Sequence, residues 1–526
     1  MNASLHNLLS TVHYNPHKDT LFLAGDILAK STEAGSLAIL DFLSQHRQGN
    51  CYVHPSADAT SDQQSAQKKQ AACKKVYAVR GNHDQMIVQW RAWREWFEGL
   101  QLTFPSAQSY PRRIPPLAAL NHNAAHTSSA SYDAGPPVGT GSQFLALIES
   151  EWIRDRTSDP TGTGADPQEW VDTMRKRAVG TWREEWWRRI PQPGKGRASK
   201  DFLMLGDHYW IARDMKPEHA EFLFSLPLVI HVPSEHFFLV HGGLLPSDPR
   251  RPADDKHQPL AHPPSPGDDD NGVLDDDYDY DHPILDLGSV QTAIPRSASL
   301  ELDDEVEVLR VLQERALLQD VPQNRDPWAV LNMRSVRKGG KVSRRGDKGT
   351  PWAKIWNGQM KRCGGFKNAS ALADEDEEDI HGESARADPL PCYPSTVVYG
   401  HAASRDLDVR RWTVGLDTGC LYGRRLTSLV LSRMRHSHEK YAPSPTTGDD
   451  TEDDEEDQSS YEEDDEYADE GAFDGVNDQF ARVAGGSAIS RRRRPKSWTR
   501  MIRFGDKHSD VAAKLVSIKC PKMAEP

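Results

Sequence analysis

Five short apolar runs along the chain each stop at a cluster of residues that bind metals or move protons. They are Leu21-Phe22-Leu23-Ala24 into Gly25-Asp26, Val76-Tyr77-Ala78-Val79 into Arg80-Gly81-Asn82-His83-Asp84, Met204-Leu205 into Gly206-Asp207-His208, Phe237-Phe238-Leu239-Val240 into His241-Gly242-Gly243, and Val397-Val398-Tyr399 into Gly400-His401. Unbroken apolar runs mark strands buried on both faces, whereas half-exposed strands alternate. In open α/β sheets the chemistry gathers just beyond the carboxyl ends of the strands. The pattern therefore predicts strands at 20–24, 76–79, 204–205, 236–240 and 396–399, all feeding one edge, with further strands at 412–416 and 426–431. Helical spacing covers 5–12, 37–45, 86–100, 167–190 and 305–318, and 217–232 reads as a helix followed by a strand. Trp170, Trp182, Trp186 and Trp187 sit at helical spacing, which predicts packing.

Between these elements the pattern lapses. The resulting division is a first folded part at 1–250, a Pro- and Asp-rich insert at 251–298, a second folded part at 299–435 with an acidic insert at about 364–390, and an acidic and Arg-rich tail at 436–526. The inserts and tail hold too little apolar content to fold and are expected to be disordered. A mean hydropathy of -0.70 agrees with long solvated stretches. The net charge of -14 hides a basic remainder. Setting aside the fifteen acids of 449–470 leaves +1, and setting aside the fourteen acids of 268–281 and 374–379 leaves +15. A basic folded part favours anionic substrates by long-range steering; scattered surface Lys and Arg together with the Arg491–Arg494 block are the alternative.

The six cysteines (Cys51, Cys73, Cys363, Cys392, Cys420, Cys520) form no CxxC pair, so neither a disulfide framework nor a zinc finger is expected. A reducing compartment follows, with Cys51–Cys73 as the one bridge left open. No apolar stretch approaches the roughly 18 residues needed to span a bilayer. The opening MNASLHNLLS lacks the basic and apolar regions of a signal peptide, so the sequence as written is expected to be cytoplasmic.

Candidate chemistry sits at the strand ends. Asp26, after a glycine that allows a tight turn, offers two oxygens that can bridge cations; a turn aspartate capping the next helix is the alternative. In Gly81-Asn82-His83-Asp84 the Asn82 carbonyl is a neutral ligand, His83 can protonate a departing oxygen, and Asp84 can hold the imidazole's tautomer. His241 and His401 complete an Asp/Asn/His/His set, although a buried histidine satisfied by hydrogen bonds is common. Mixed nitrogen and oxygen donors suit zinc, manganese, iron or cobalt. His231 and His236 read as structural.

The order GD…GNHD…VHGG…YGH…GLDTGC resembles the calcineurin-like metallophosphoesterases. Within them it is most similar to the branch of bacterial diadenosine-tetraphosphatase-like and fungal endopolyphosphatase-like enzymes. The residues behind that comparison are Gly25 to Ser31, Gly206-Asp207-His208-Tyr209-Trp210, Val240 to Leu244, Pro327-Trp328 with Asn332-Met333-Arg334, and Gly415 to Cys420. The likeness covers roughly 1–250 and 300–432. It implies an α/β fold, a double β-sheet sandwich flanked by helices, holding two divalent metal ions. Asp26 would bridge the ions, with Asn82, His241 and His401 completing one of them. His83 would donate a proton to the leaving group, oriented by Asp84, while Lys30 and Arg334 bind substrate phosphate.

Two departures qualify the likeness. Ala29-Lys30 stands where protein phosphatases carry Asp-Arg, and a lysine is a point charge rather than a bidentate fork. The first family motif, DxHG, has no counterpart, so the sequence is expected to be an N-terminally truncated version of a longer protein. The fungal relatives of vacuolar type place a membrane anchor in that region.

The leading reading is a metal-dependent phosphatase that cleaves phosphoanhydride or phosphoester bonds by attack of a metal-bound hydroxide, with polyphosphate as the preferred substrate. The alternatives are a serine/threonine protein phosphatase, a dinucleoside-polyphosphate hydrolase, and a non-catalytic regulator that keeps the fold and binds a protein partner through its tail. No nucleic acid is expected as a partner.

Overall fold

The computed structural model describes residues 2–28, 32–44, 75–102, 139–158, 166–190, 203–252, 255, 257–262, 290–292, 305–366, 389–433, 496–506, 509 and 511–521. Its first part opens with helix α1 (Asn2–Thr11), strand β1 (Thr20–Leu23), helix α2 (Glu33–Ser44), strand β2 (Lys75–Ala78) and the long helix α3 (Asn82–Glu98). Helices α4 (Gly141–Ser158), α5 (Pro167–Ala178), α6 (Asp207–Asp214) and α7 (Pro217–Phe224) follow, then strands β3 (Val229–Val232) and β4 (Phe237–Val240). Strand β5 (Val290–Thr292) precedes α8 (Glu305–Gln319), α9 (Pro327–Asn332) and α10 (Trp352–Met360). The chain then adds β6 (Thr396–Tyr399), β7 (Asp408–Val409), β8 (Thr413–Gly415), β9 (Arg425–Arg433), β10 (Ser497–Ile502) and β11 (Val511–Lys519).

Six strands form a mixed sheet in the order β7-β8-β6-β4-β3-β5, in which β4, β6 and β8 run parallel. A second, antiparallel sheet has the order β9-β11-β10. Strands β1 and β2 pair parallel as a separate two-stranded ribbon.

Strand pleating explains why the runs are apolar throughout. Successive side chains point to opposite faces. Ile230, Val232, Phe237, Leu239, Val398 and Val414 face the second sheet, where they meet Leu515, Ala513 and Phe504. Tyr77 and Val79 of the ribbon join the same layer, and Phe22 stacks on Tyr77 with centroids 5.1 Å apart. The alternate residues Val229, Phe238, Val240, Val397 and Tyr399 face Trp352, Trp356, Met360 and Leu317 of the flanking helices. A third cluster packs α2 to α7 on Val76 and Ala78, with Trp90, Trp152, Trp170, Trp186 and Trp187 all buried in it. Trp170, Trp186 and Trp187 pack as their spacing predicts, while the Trp182 side chain lies outside what the structure describes. The result is two sheets enclosing one apolar layer, with helices outside, an α/β sandwich.

The 204–205 run is not a strand: it is a turn into α6, with Leu205 at φ +66°. The 251–298 insert is not wholly without structure, since Leu260 is buried, Gln258 accepts from the Asp248 amide, and β5 extends the six-stranded sheet. The expected tail is likewise corrected at its end. β10 and β11 complete the second sheet, and Val516 and Ile518 of β11 also pack against Leu8 of α1. Residues 434–495 and 367–388 lie outside the described residues, as do Cys51 and Cys73.

The cysteines also depart from expectation. Cys363 bonds Cys392, clasping the neck of the 364–390 insert, and Cys420 bonds Cys520, tying the loop after β8 to the end of β11. Neither pair is visible from spacing, because the partners are 29 and 100 residues apart. Such bonds persist where thiols are not kept reduced. Among the described residues no helix is long and apolar enough to cross a membrane.

A buried charged cluster ties the six-stranded sheet to α8. Glu314 is fully buried and takes His231 Nε2 at 2.6 Å, His236 Nδ1 at 3.0 Å and the Ser395 hydroxyl at 2.9 Å. Burial alone would raise the Glu314 pKa, but the two imidazoles outweigh it and pull the group from 4.5 to about 2. His231 and His236 are structural, as their sequence context predicts. A carboxylate with a depressed folded pKa stabilises above its unfolded value and loses that contribution as pH falls through the folded one. Wild type should therefore lose roughly 3 kcal/mol between pH 4.5 and about 2 from this group. Glu314→Gln should be less stable by a similar amount at pH 6 and should show a shallower acid limb in denaturant melts. An unchanged acid limb would count against the assignment. The 100-residue loop closed by Cys420–Cys520 predicts that Cys420→Ser lowers unfolding free energy by roughly 4 kcal/mol, read from the denaturant midpoint.

Candidate active site

Two glycines allow the first carboxylate to reach its place. Gly25 adopts φ +82°, and a Cβ there would lie 2.7 Å from His241 Nδ1 and 2.9 Å from the Gly81 nitrogen. Asp26 follows at φ +50°, so the chain doubles back at the end of β1. Its Oδ1 accepts from the His83 amide at 2.9 Å, in the first turn of the 17-residue α3, where unpaired amides favour negative charge. Its Oδ2 lies 3.2 Å from His241 Nε2. Burial opposes ionisation, but His241 and His83 hold the Asp26 carboxyl well below its ordinary range.

His241, at the end of β4, donates from Nδ1 to the Ala24 carbonyl at 2.9 Å. That bond fixes the ring and turns Nε2 toward Asp26 and toward Asn82 Oδ1, 3.1 Å away. Orientation of a ligating imidazole by a carbonyl on its far nitrogen is a common feature of metal sites. Burial lowers the His241 pKa, but the Asp26 charge reverses this and leaves it raised. His401, at φ +61° beyond β6, has its ring centroid 4.9 Å from that of His241. Its Nε2 is buried without a hydrogen-bond partner. Burial first, then Arg334 and His241, keep His401 well below its ordinary pKa and so neutral. A neutral imidazole with an unsatisfied buried nitrogen is costly unless something accepts its lone pair.

Among the described residues, ligand atoms of Asp26, His241 and His401 lie within 4.8 Å of one another. The donor set, the fixed His241 tautomer and the orphaned His401 nitrogen all fit a divalent cation. The structure thus brings together Asp26, Asn82, His241 and His401 from the ends of β1, β2, β4 and β6.

Asp84 does something other than orient His83. Its buried carboxylate accepts from the amides of Ile27 (3.1 Å), Leu28 (3.2 Å) and Gly81 (2.9 Å), clamping the Asp26 turn onto α3. Burial, then the Asp26 charge, raises its pKa to about 6. The His83 ring turns to α6 instead, with Nδ1 2.8 Å from His208 Nε2. Arg334 donates from Nε to the His401 carbonyl at 3.2 Å, so it stands beside the cluster. Lys30 lies outside the described residues.

Two further groups belong here. Asp417, just past β8, has its pKa raised by burial and by the Asp26 charge. Its signal was available, a carboxylate one residue beyond another apolar run, within GLDTGC. Asp207 and His208 form a visible cluster in sequence, but their contact with His83 spans 125 residues and depends on helix packing.

No protein-family model matches the chain, and no curated protein matches it. Among solved structures, the crystal structure of a proposed diadenosine tetraphosphatase is similar at 14% identity, covering 81% of this chain and 82% of that one. Its TM-score of 0.28 is too low to carry a functional assignment.

The site predicts a thermal signature. After chelation and dialysis, Zn2+ or Mn2+ at about a hundredfold over Kd should stabilise wild type by about 2.7 kcal/mol. His401→Ala should lose most of that gain in paired thermal scans. An equal gain in both proteins would place the cation elsewhere.

Proposed function

We propose that this protein is a metal-dependent phosphatase-type hydrolase that cleaves phosphoanhydride bonds, with inorganic polyphosphate as its substrate class. The observation that carries the reading is the convergence of Asp26, His241 and His401 within 4.8 Å, with the His401 nitrogen unsatisfied. Asp26, Asn82, His241 and His401 would hold the cation. A divalent cation there supplies Lewis-acid stabilisation of charge developing on phosphoryl oxygens.

The chain's own groups do the rest. Arg334, beside His401, neutralises substrate phosphate. His83, on the first turn of α3, protonates the departing oxygen through Nε2, since Nδ1 is engaged with His208. Asp84 keeps the Asp26 turn in register with α3. The basic balance of the chain outside its acidic runs supports a polyanionic substrate.

The test is chain shortening of long polyphosphate, followed on gels with Zn2+, Mn2+ or Co2+ and with chelator, beside a dinucleoside polyphosphate and a phosphopeptide. Polyphosphate should be shortened only with cation, and Asn82→Ala or His241→Ala should lower kcat by roughly a hundredfold or more. Faster turnover of the dinucleotide or the phosphopeptide would reassign the substrate. No turnover of any of the three with any of these cations would remove the enzymatic reading.

A further inference from the structure

We propose that His208, held by Asp207, is a positioning residue for His83. The catalytic consequence of this assignment rests on the hydrolase reading; the geometry does not. Asp207 and His208 open α6, while His83 lies in the first turn of α3. The two helices pack through Tyr209, whose ring meets Trp90 at 5.2 Å, and through the Tyr209 hydroxyl, 2.6 Å from Arg94. This packing brings two otherwise unrelated histidines into register.

His208 Nδ1 lies 2.7 Å from Asp207 Oδ1, and His208 Nε2 lies 2.8 Å from His83 Nδ1. A carboxylate only accepts, so His208 carries a proton on Nδ1 and, as the neutral imidazole, presents Nε2 as an acceptor. His83 must then donate from Nδ1, so its acid form, the imidazolium, carries on Nε2 the proton it delivers to a leaving oxygen, and delivery leaves the neutral Nδ1–H tautomer. The rings are nearly parallel, 20° apart with centroids 5.1 Å from each other, so the contact fixes the plane of His83 as well as its tautomer. His208 is buried at 6% exposure, which shields this bond from competing water.

The chain Asp207–His208–His83 therefore does what Asp84 was expected to do. The Asp84 oxygens accept from three backbone amides instead, and His83 Nδ1 lies against His208. Without His208, the His83 ring could rotate, and its Nε2–H would no longer point at the leaving oxygen. Positioning of this kind acts only where the leaving group needs a proton.

The experiment compares two esters in the intact protein with Mn2+: an alkyl phosphoester, whose alkoxide must be protonated, and a nitrophenyl phosphoester, whose phenolate need not be. His208→Ala should lower kcat on the alkyl ester by roughly a hundredfold and on the nitrophenyl ester by less than about threefold, with KM unchanged. His208→Gln, which keeps an acceptor near the Nε2 position, should recover part of the loss. The double variant with His83→Ala should be no slower than His83→Ala alone. Equal losses on both esters, or additive losses in the double variant, would overturn the proposal.

An activity-free readout accompanies it. Imidazole 15N spectra, with His83 assigned by difference against His83→Asn, should show the Nδ1–H tautomer in wild type and its loss in His208→Ala. Persistence of that tautomer in His208→Ala overturns the proposal even if wild type cleaves neither ester. Inactivity of wild type beside the expected tautomer change would instead count against the hydrolase reading alone.

Discussion

The structure turns on where the Asp26 carboxylate is held. One oxygen is bound by the first turn of α3 and the other faces His241, so a single side chain joins the ribbon, the long helix and the six-stranded sheet. The helix N-terminus and the neighbouring imidazoles keep it ionised although burial opposes this. Two backbone conditions permit the arrangement. Gly25 must take a positive φ, and Gly81 must lack a side chain so that α3 can start against Asp26. Asp84 then locks the turn from below through three amides.

The sandwich supplies the rigidity that this requires. β4 and β6 are adjacent parallel strands buried on both faces, so His241 and His401 leave the sheet side by side. Gly400, before His401, matters less as a hinge than as a gap, since a Cβ there would lie 3.0 Å from the Ala24 carbonyl that orients His241. Strand spacing in a sheet is set by backbone hydrogen bonds, near 4.8 Å. Donors at the ends of neighbouring strands are thus delivered within reach of one ion without any special packing.

Much of this was legible in the sequence because it depends on local pattern. Phe237 to Val240 and Thr396 to Tyr399 read as doubly buried strands for the reason they are buried, and the residues beyond them fell where strand ends place them. What escaped detection depends on distance. Cys420 and Cys520 share no local pattern, and β11 lies behind a long acidic run that makes its surroundings look solvated. Adjacency in GNHD suggests contact between His83 and Asp84, whereas on a helix neighbouring residues diverge, and the Asp84 carboxylate accepts from the amides of Ile27, Leu28 and Gly81. His208 could be noticed but not aimed, since its partner is 125 residues away and reached only through the packing of α3 on α6.

The pairing of β9 with β11 over nine residues, reinforced by the Cys420–Cys520 bond, joins segments that flank residues 434–495. A backbone cut anywhere in that intervening stretch would not free the C-terminal piece. The two fragments would migrate together until a reductant was added, and the sandwich would keep its closing strand, so continuity of the peptide there is dispensable for holding the molecule in one piece.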